Sequence, residues 1–175
     1  ATLPVQALRG QGDELAEAVR AHRPTVLSIT PHILSGLSDA FRRDGARAPG
    51  SLRVVAVGGA ALPVPLARAA IAQGIPVHEG YGLTECGSVV AVNRFGERRE
   101  GTVGQPLDGV ELRLVDGEIV VSGASVMDGY LNGAPAGSTW HTGDMGAIDP
   151  DGNLVVLGRK DAMLVTSLGR NISPE

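Results

Sequence analysis

The sequence predicts an α/β fold in which a βαβαβ parallel layer is followed by a small β-barrel-like subdomain. Up to about residue 80, short β-branched runs alternate with stretches whose apolar residues recur at helical spacing, the pattern of a parallel sheet with crossover helices. Two of those runs empty into glycine-rich segments, Gly58-Gly59-Ala60 and Gly80-Tyr81-Gly82. In open α/β sheets ligands bind beyond the carboxyl ends of the strands, so both segments are expected to face one crevice. After Asn93 the texture changes to short alternating strands between glycine turns, which suits a small barrel or folded sheet.

Taken in order, residues 14–20 have helical periodicity, and His22-Arg23-Pro24 stops it because a proline biases its predecessor away from the helical region. A strand is expected at 25–29. Pro31 then opens a helix with Ile33, Leu34, Leu37 and Phe41 on one face, ended by Arg42-Arg43-Asp44-Gly45. Residues 52–57, LRVVAV, form a continuous apolar run of the kind buried on both faces of a parallel sheet. A helix at 65–73 closes at Gly74, and a strand at 75–78 delivers the chain to the second glycine segment. The β-rich half is read as strands at 110–115, 118–121, 146–149 and 153–157. Asp116-Gly117 and Asp151-Gly152 serve as hairpin signals, since both residue types tolerate the positive φ that tight turns need.

Composition narrows the function. The chain has 175 residues, 43% hydrophobic and 19% charged, which suits a globular domain able to bury roughly 70% of its unfolded surface. Net charge is −4 and aromatics are 3%, so a nucleic-acid surface of basic residues interleaved with aromatics has little to be built from, and no nucleic-acid partner is expected. Cys86 is the only cysteine, which excludes an intrachain disulfide or a thiolate metal cluster, and it reads as a small packing residue. No apolar run reaches the roughly 20 residues of a spanning helix, and the N-terminus lacks the layout of a signal peptide. A cytoplasmic location without a transmembrane segment is the expectation. Lys160 is the only lysine, so no Walker-type G-x-x-x-x-G-K-S/T loop exists, and G-x-S-x-G and S-x-x-K signals of a serine nucleophile are absent.

The chemistry concentrates in residues 77–88, VHEGYGLTECGS. Gly80 and Gly82 lack Cβ atoms, so a planar ligand could approach the main chain on either side of Tyr81, whose ring offers a stacking face. Thr84 can donate to a phosphate oxygen, and Glu85 is a hard oxygen ligand able to hold Mg²⁺ against that phosphate. His78 and His141 have no partner at metal-ligand spacing and read as polar wall or packing residues.

With GGA, YGLTE, HTGD and GRKD in that order, the chain resembles the adenylate-forming superfamily of acyl-CoA synthetases, luciferases and peptide-synthetase adenylation domains. The likeness runs from PTVLSITPHILSGL through GTVGQPLDGVELRLVDGEIVVSG and VMDGYLN to GRKDAMLVTSLGRNISPE. The resemblance implies a fold belonging to the large N-terminal domain of those enzymes. It also implies a reaction in which a carboxylic acid substrate attacks the α-phosphate of ATP, giving acyl-AMP and pyrophosphate, and is then transferred to the thiol of CoA. By motif, Gly58, Gly59 and Ala60 would lie along adenine and the acyl pocket, with Glu79, Gly80, Tyr81 and Gly82 against the other side of the base. Thr84 would contact the α-phosphate, Glu85 would bind Mg²⁺, and Asp144 would accept hydrogen bonds from both ribose hydroxyls. Arg159 would also reach the ribose, and Asp161 would be the hinge to a further domain.

The resemblance divides the chain into an α/β half-subdomain at 1–93, a β-rich subdomain at 94–159, and a hinge with the start of another domain at 160–175. The family's phosphate-closing Gly/Ser/Thr-rich loop and C-terminal lysine are not found among these residues, so the expectation is an incomplete portion, inactive alone and able to self-associate. The stretch LVTSLGRNISPE points to a fatty acid, because a basic residue tends to stand in place of Val165 in amino-acid activators. Two alternatives stay open: activation of an amino or aryl acid for a carrier protein, and a non-enzymatic module that binds a nucleotide or partner.

Overall fold

The computed structural model describes residues 12–133 and 135–161, together with short strands at 164–165 and 171–172. It divides into two compact units, Ala1–Glu79 and Gly80–Glu175. The first residues, including ATLPVQALRG, and most of the closing LVTSLGRNISPE lie outside the described residues.

In the first unit, helix α1 (Gly12–His22) is acidic in its first turn and basic in its last, the arrangement that complements a helix dipole. Strand β1 (Val26–Ile29), helix α2 (Pro31–Arg43), strand β2 (Val54–Val57), helix α3 (Val64–Ala72) and strand β3 (Val77–Tyr81) follow. Pro31 sits at the start of α2, where its fixed φ suits the first turn and its missing N–H is no loss. α1 and α2 approach closely: a Cβ on Gly12 would lie 1.9 Å from the carbonyl oxygen of Gly36. β1 pairs with β2 and β2 with β3, both parallel, with Val55 opposite Val77 and Val57 opposite Glu79. Gly58 therefore leaves β2 at the edge where Glu79, itself buried, ends this unit.

Both crossovers step the same way across the sheet, so right-handedness places α2 and α3 on one face. The core lies there, with Leu27, Ile29, Val55, Val57 and Val77 packed against Leu15, Leu34, Phe41 and Ala70. This corrects the expectation that residues 52–57 are buried on both faces. Val55 and Val57 are buried, but their alternates Val54 and Ala56 are only half-buried, and the neighbouring Val26 is 59% exposed.

The second unit is antiparallel. Gly80-Tyr81 of β3 pairs with β4 (Ala91–Val92), and β4 with β5 (Gln105–Pro106). This pairing carries β3 beyond the expected end at residue 78. A separate four-stranded meander joins β6 (Val110–Val115), β7 (Glu118–Gly123), β8 (Thr139–Ile148) and β9 (Leu154–Arg159), in that order. Asp116 and Gly117 have φ of 50° and 79°, as a two-residue type I′ hairpin requires. The β8–β9 turn is instead organised by Asp149, whose carboxylate accepts the backbone N–H groups of Asp151 and Asn153. Cys86, Val90, Ala91, Ile119, Val121 and Leu154 form this unit's core, so Cys86 packs as the sequence suggests. The last pair, β10 (Leu164–Val165) with β11 (Asn171–Ile172), is antiparallel.

Candidate functional site

Strand β8 begins at Thr139, seven residues earlier than the sequence suggests, and so absorbs the HTGD motif. The motif hides from periodicity because it is a bulge. Glu118 pairs with Met145 and Val120 with His141, so three residues of β8, Thr142, Gly143 and Asp144, stand opposite the single residue Ile119. Bulges of this kind re-aim a side chain. Gly143 takes a φ of 73°, and a Cβ there would come within 2.8 Å of the Arg159 guanidinium. On the other side Asp144 lies directly opposite Arg159 in β9.

The bulge costs the backbone its regular partners, and side chains replace them. The Thr142 hydroxyl donates to the Ile119 carbonyl at 2.8 Å and accepts from the Asp144 N–H at 3.0 Å. Glu118 Oε1 accepts from the Gly143 N–H at 3.0 Å, Arg159 Nη1 donates to the Thr142 carbonyl at 3.0 Å, and the Lys160 N–H donates to the Gly143 carbonyl at 2.7 Å. The Thr142 carbonyl, both backbone groups of Gly143 and the Asp144 N–H are thereby satisfied, as buried polar groups must be.

The Asp144 carboxylate, 16% exposed, is gripped from two sides. The Tyr81 hydroxyl donates to Oδ2 at 2.6 Å, and Arg159 Nη1 donates to Oδ1 at 3.2 Å. Burial, reinforced by the bond to Asp144, pushes the Tyr81 phenol well above the ordinary tyrosine range, so it stays a donor at any physiological pH. Arg159 Nε also meets Asp161 at 3.3 Å.

After β3 a single 3₁₀ turn, Thr84–Cys86, presents an exposed Thr84 and a half-buried Glu85. The Tyr130 hydroxyl donates to the Glu85 carboxylate and holds its carboxyl below the usual glutamate range. Tyr130 in turn meets Trp140 edge-on, ring centroids 6.0 Å apart. Gly82 is demanded by the chain itself: a Cβ there would lie 1.9 Å from the Ser88 carbonyl oxygen, where the loop folds back. Gly80 makes only ordinary contact with Ala91, and Gly59, at φ 81°, faces open space.

Tyr81, Asp144 and Arg159 thus converge in one hydrogen-bonded cluster of the second unit, while Gly58, Gly59, Ala60 and Glu79 belong to the first. Two residues that sequence reasoning passed over are Glu118 and Tyr130. Glu118 carries a signal in hindsight, as a lone carboxylate opening the apolar run Ile119-Val120-Val121. Tyr130 sits in VMDGYLN, whose residues have no role assigned by spacing. His141 is exposed, with Nδ1 3.5 Å from Glu118 Oε2. Among the described residues no three His, Cys, Asp or Glu side chains form a metal-holding group, and no helix is long and apolar enough to cross a membrane.

Residues 3–131 match the family described as AMP-binding enzyme, and the chain belongs to that family. Over 141 residues it is 38% identical to the long-chain-fatty-acid–CoA ligase FadD15 of Mycobacterium bovis, covering 77% of this chain and 24% of that protein. Over 180 residues it is 34% identical to the 2-succinylbenzoate–CoA ligase of Bacillus pumilus, covering 93% of this chain and 36% of that protein. The solved O-succinylbenzoate coenzyme A synthetase (MenE) of Bacillus subtilis, in complex with ATP and magnesium ion, superposes with a TM-score of 0.80 at 28% identity, over 94% of this chain and 38% of that one. The chain thus spans 24% and 36% of the length of the two curated relatives.

Proposed function

We propose that this chain supplies the ribose- and magnesium-facing surface of an ATP-dependent acid–CoA ligase, one that converts a carboxylic acid, fatty acyl by the character of its closing residues, to acyl-AMP and then to the CoA thioester. The observation that carries the reading is the Asp144 carboxylate, raised on the β8 bulge and oriented by Tyr81 and Arg159. A carboxylate offers about four lone-pair sites, and two are used here, so two remain for a pair of vicinal hydroxyls. Ribose fits that demand.

Glu85 suits a magnesium ligand on its own chemistry, being ionised, half-exposed and held in place by Tyr130. Mg²⁺ usually takes one or two carboxylates and completes its shell with water and substrate phosphates, so a lone glutamate without an all-protein cage fits it. When held by Glu85, the ion would supply positive charge against the negative charge that develops on the phosphates. Thr84, exposed beside Glu85, would donate to the α-phosphate. The substrate carboxylate is itself the nucleophile, so the protein need only position reactants and stabilise charge on phosphorus. In the second step the CoA thiol would attack the acyl carbon and release AMP. Gly58, Gly59, Ala60 and Glu79 carry the base-side contacts in this reading.

Calorimetry tests it directly: AMP should bind, and Asp144→Ala should weaken that binding by about a hundredfold or more. A chain that ignores AMP and ATP alike would overturn the nucleotide reading. An aryl acid is the second reading of the substrate, favoured by the 34% identity to a 2-succinylbenzoate–CoA ligase across 93% of the chain.

A further inference from the structure

We propose that Glu118 is the positioning residue of the Asp144 site, acting through the Gly143 backbone and without touching the nucleotide; the inference rests on the ribose role proposed for Asp144. Glu118 is the first residue of β7 and 8% exposed. A bare carboxylate so buried is costly unless paired, and this one is fully engaged. One oxygen accepts the Gly143 N–H at 3.0 Å; the other accepts Lys160 Nζ at 2.7 Å and lies 3.5 Å from His141 Nδ1.

The position matters because of the register. An antiparallel partner would ordinarily supply a backbone carbonyl to the Gly143 N–H, but β7 has only Ile119 to set against three residues of β8, and the Ile119 carbonyl is taken by the Thr142 hydroxyl. Glu118 provides the missing acceptor from its side chain. It thereby fixes the left-handed conformation at Gly143, which in turn aims the next residue, Asp144, at Tyr81 and Arg159. Its second oxygen holds Lys160, whose own N–H donates to the Gly143 carbonyl, so the same carboxylate braces both sides of the bulge.

Four variants separate this role from plain stability. Glu118→Ala removes the acceptor. Glu118→Asp keeps the charge but shortens the reach. Glu118→Gln keeps an acceptor oxygen for Gly143 while surrendering the lysine. Val120→Ala, at a fully buried residue of the same strand, is a control that lowers stability without removing any side-chain group that hydrogen-bonds within the bulge. In the ligand-free chain, amide exchange at Gly143 should speed by about tenfold or more, relative to amides of the β6–β7 ladder, in the alanine and aspartate variants, as loss of a hydrogen bond to a charged group implies. The glutamine variant and Val120→Ala should keep Gly143 protected relative to that ladder. With AMP and 2′,3′-dideoxy-AMP as probes, wild type should prefer the ribonucleotide, and the alanine and aspartate variants should lose that preference while Glu118→Gln and Val120→Ala retain it.

A glutamine variant behaving like alanine would overturn the Gly143 route in favour of the charge alone. Unchanged Gly143 exchange in the alanine and aspartate variants would overturn the proposal outright, as would a ribose preference that survives in them. A wild type indifferent to the ribose hydroxyls would instead remove the role of Asp144, leaving the exchange comparison to decide whether Glu118 holds the bulge.

Discussion

Asp144 and Tyr81 divide the work at the site unequally, and the difference is measurable. Hydrogen bonds to charged groups are worth about 1.5–3 kcal/mol each, so losing two ribose contacts with Asp144→Ala should weaken AMP by about a hundredfold or more. Tyr81→Phe deletes one donor that merely orients the carboxylate, and Arg159 remains on the other oxygen, so the loss should be nearer tenfold. Calorimetry on both variants checks the order, and equal losses would mean that the tyrosine hydroxyl contributes as much as the carboxylate. Glu85→Gln, in a longer form that turns over, should lower adenylation far more than AMP binding. A metal held there acts on the charge of the transferring phosphate, whereas AMP can rest on Asp144 without it. Parallel declines in pyrophosphate release and AMP affinity would remove the metal role. At this scale Thr84-Glu85 is legible as chemistry, a hydroxyl beside a carboxylate, whereas Asp144 is marked by the resemblance of its HTGD motif and not by its glycine neighbour. Glu118 was not legible, because its partners Gly143 and Lys160 are 25 and 42 residues away and meet it only through the bulge.

Helices and alternating strands were read well from periodicity, as α1, α2 and the Asp116-Gly117 hairpin show, since local spacing alone decides them. Three features were misread, and each depends on something non-local. β3 runs on through Gly80-Tyr81 because β4 pairs there, β8 starts at Thr139 because a bulge masks its alternation, and β2 is half-buried on one face because both crossover helices fall on the other. The bulge also makes a pH prediction. The Lys160 ammonium, assisted by the Gly143 N–H and His141, holds the Glu118 carboxyl below the usual glutamate range. Its folded pKa is therefore below its unfolded one, so its contribution to stability is present above the ordinary glutamate range and lost as pH falls through the folded value. Lys160 is shifted the opposite way, raised chiefly by its bond to Glu118, so its share is present below the ordinary lysine range and lost as pH rises through its folded value. Melting temperatures of wild type and Glu118→Gln should differ most between those limits and converge in acid. A gap that persists undiminished in strong acid would show that the carboxylate's ionisation contributes nothing.

For the molecule as a whole, exposed apolar surface and substrate choice are the two open consequences. Among the described residues β1 stands at the end of its sheet, and the face away from the helices carries Val26, 59% exposed, beside the half-buried Val54. An edge with apolar surface invites pairing, so the chain should self-associate as concentration rises, and Val26→Lys should suppress it; a monodisperse monomer by light scattering at high concentration would contradict this. The substrate prediction needs a form spanning the full length of the relatives, supplied in turn with medium- and long-chain fatty acids, aryl acids and amino acids, with pyrophosphate release and CoA thioester measured separately. An apolar acid is expected. Cys86 is buried among Val90, Ile119 and Leu154, and Gly82, Gly87 and Ser88 beside it are small and uncharged, so none of these residues could pair with a substrate ammonium. Between fatty and aryl acids the two relatives pull in different directions, 38% identity to a fatty-acid ligase over 77% of the chain against 34% to a 2-succinylbenzoate ligase over 93%. Preference for a long-chain acid, followed by transfer to CoA, is the outcome the closing residues favour. Preference for an aryl acid would keep the ligase and change its substrate. An amino acid, or pyrophosphate release with no thioester formed, would overturn the ligase while leaving adenylation, and with it the Asp144 site, intact.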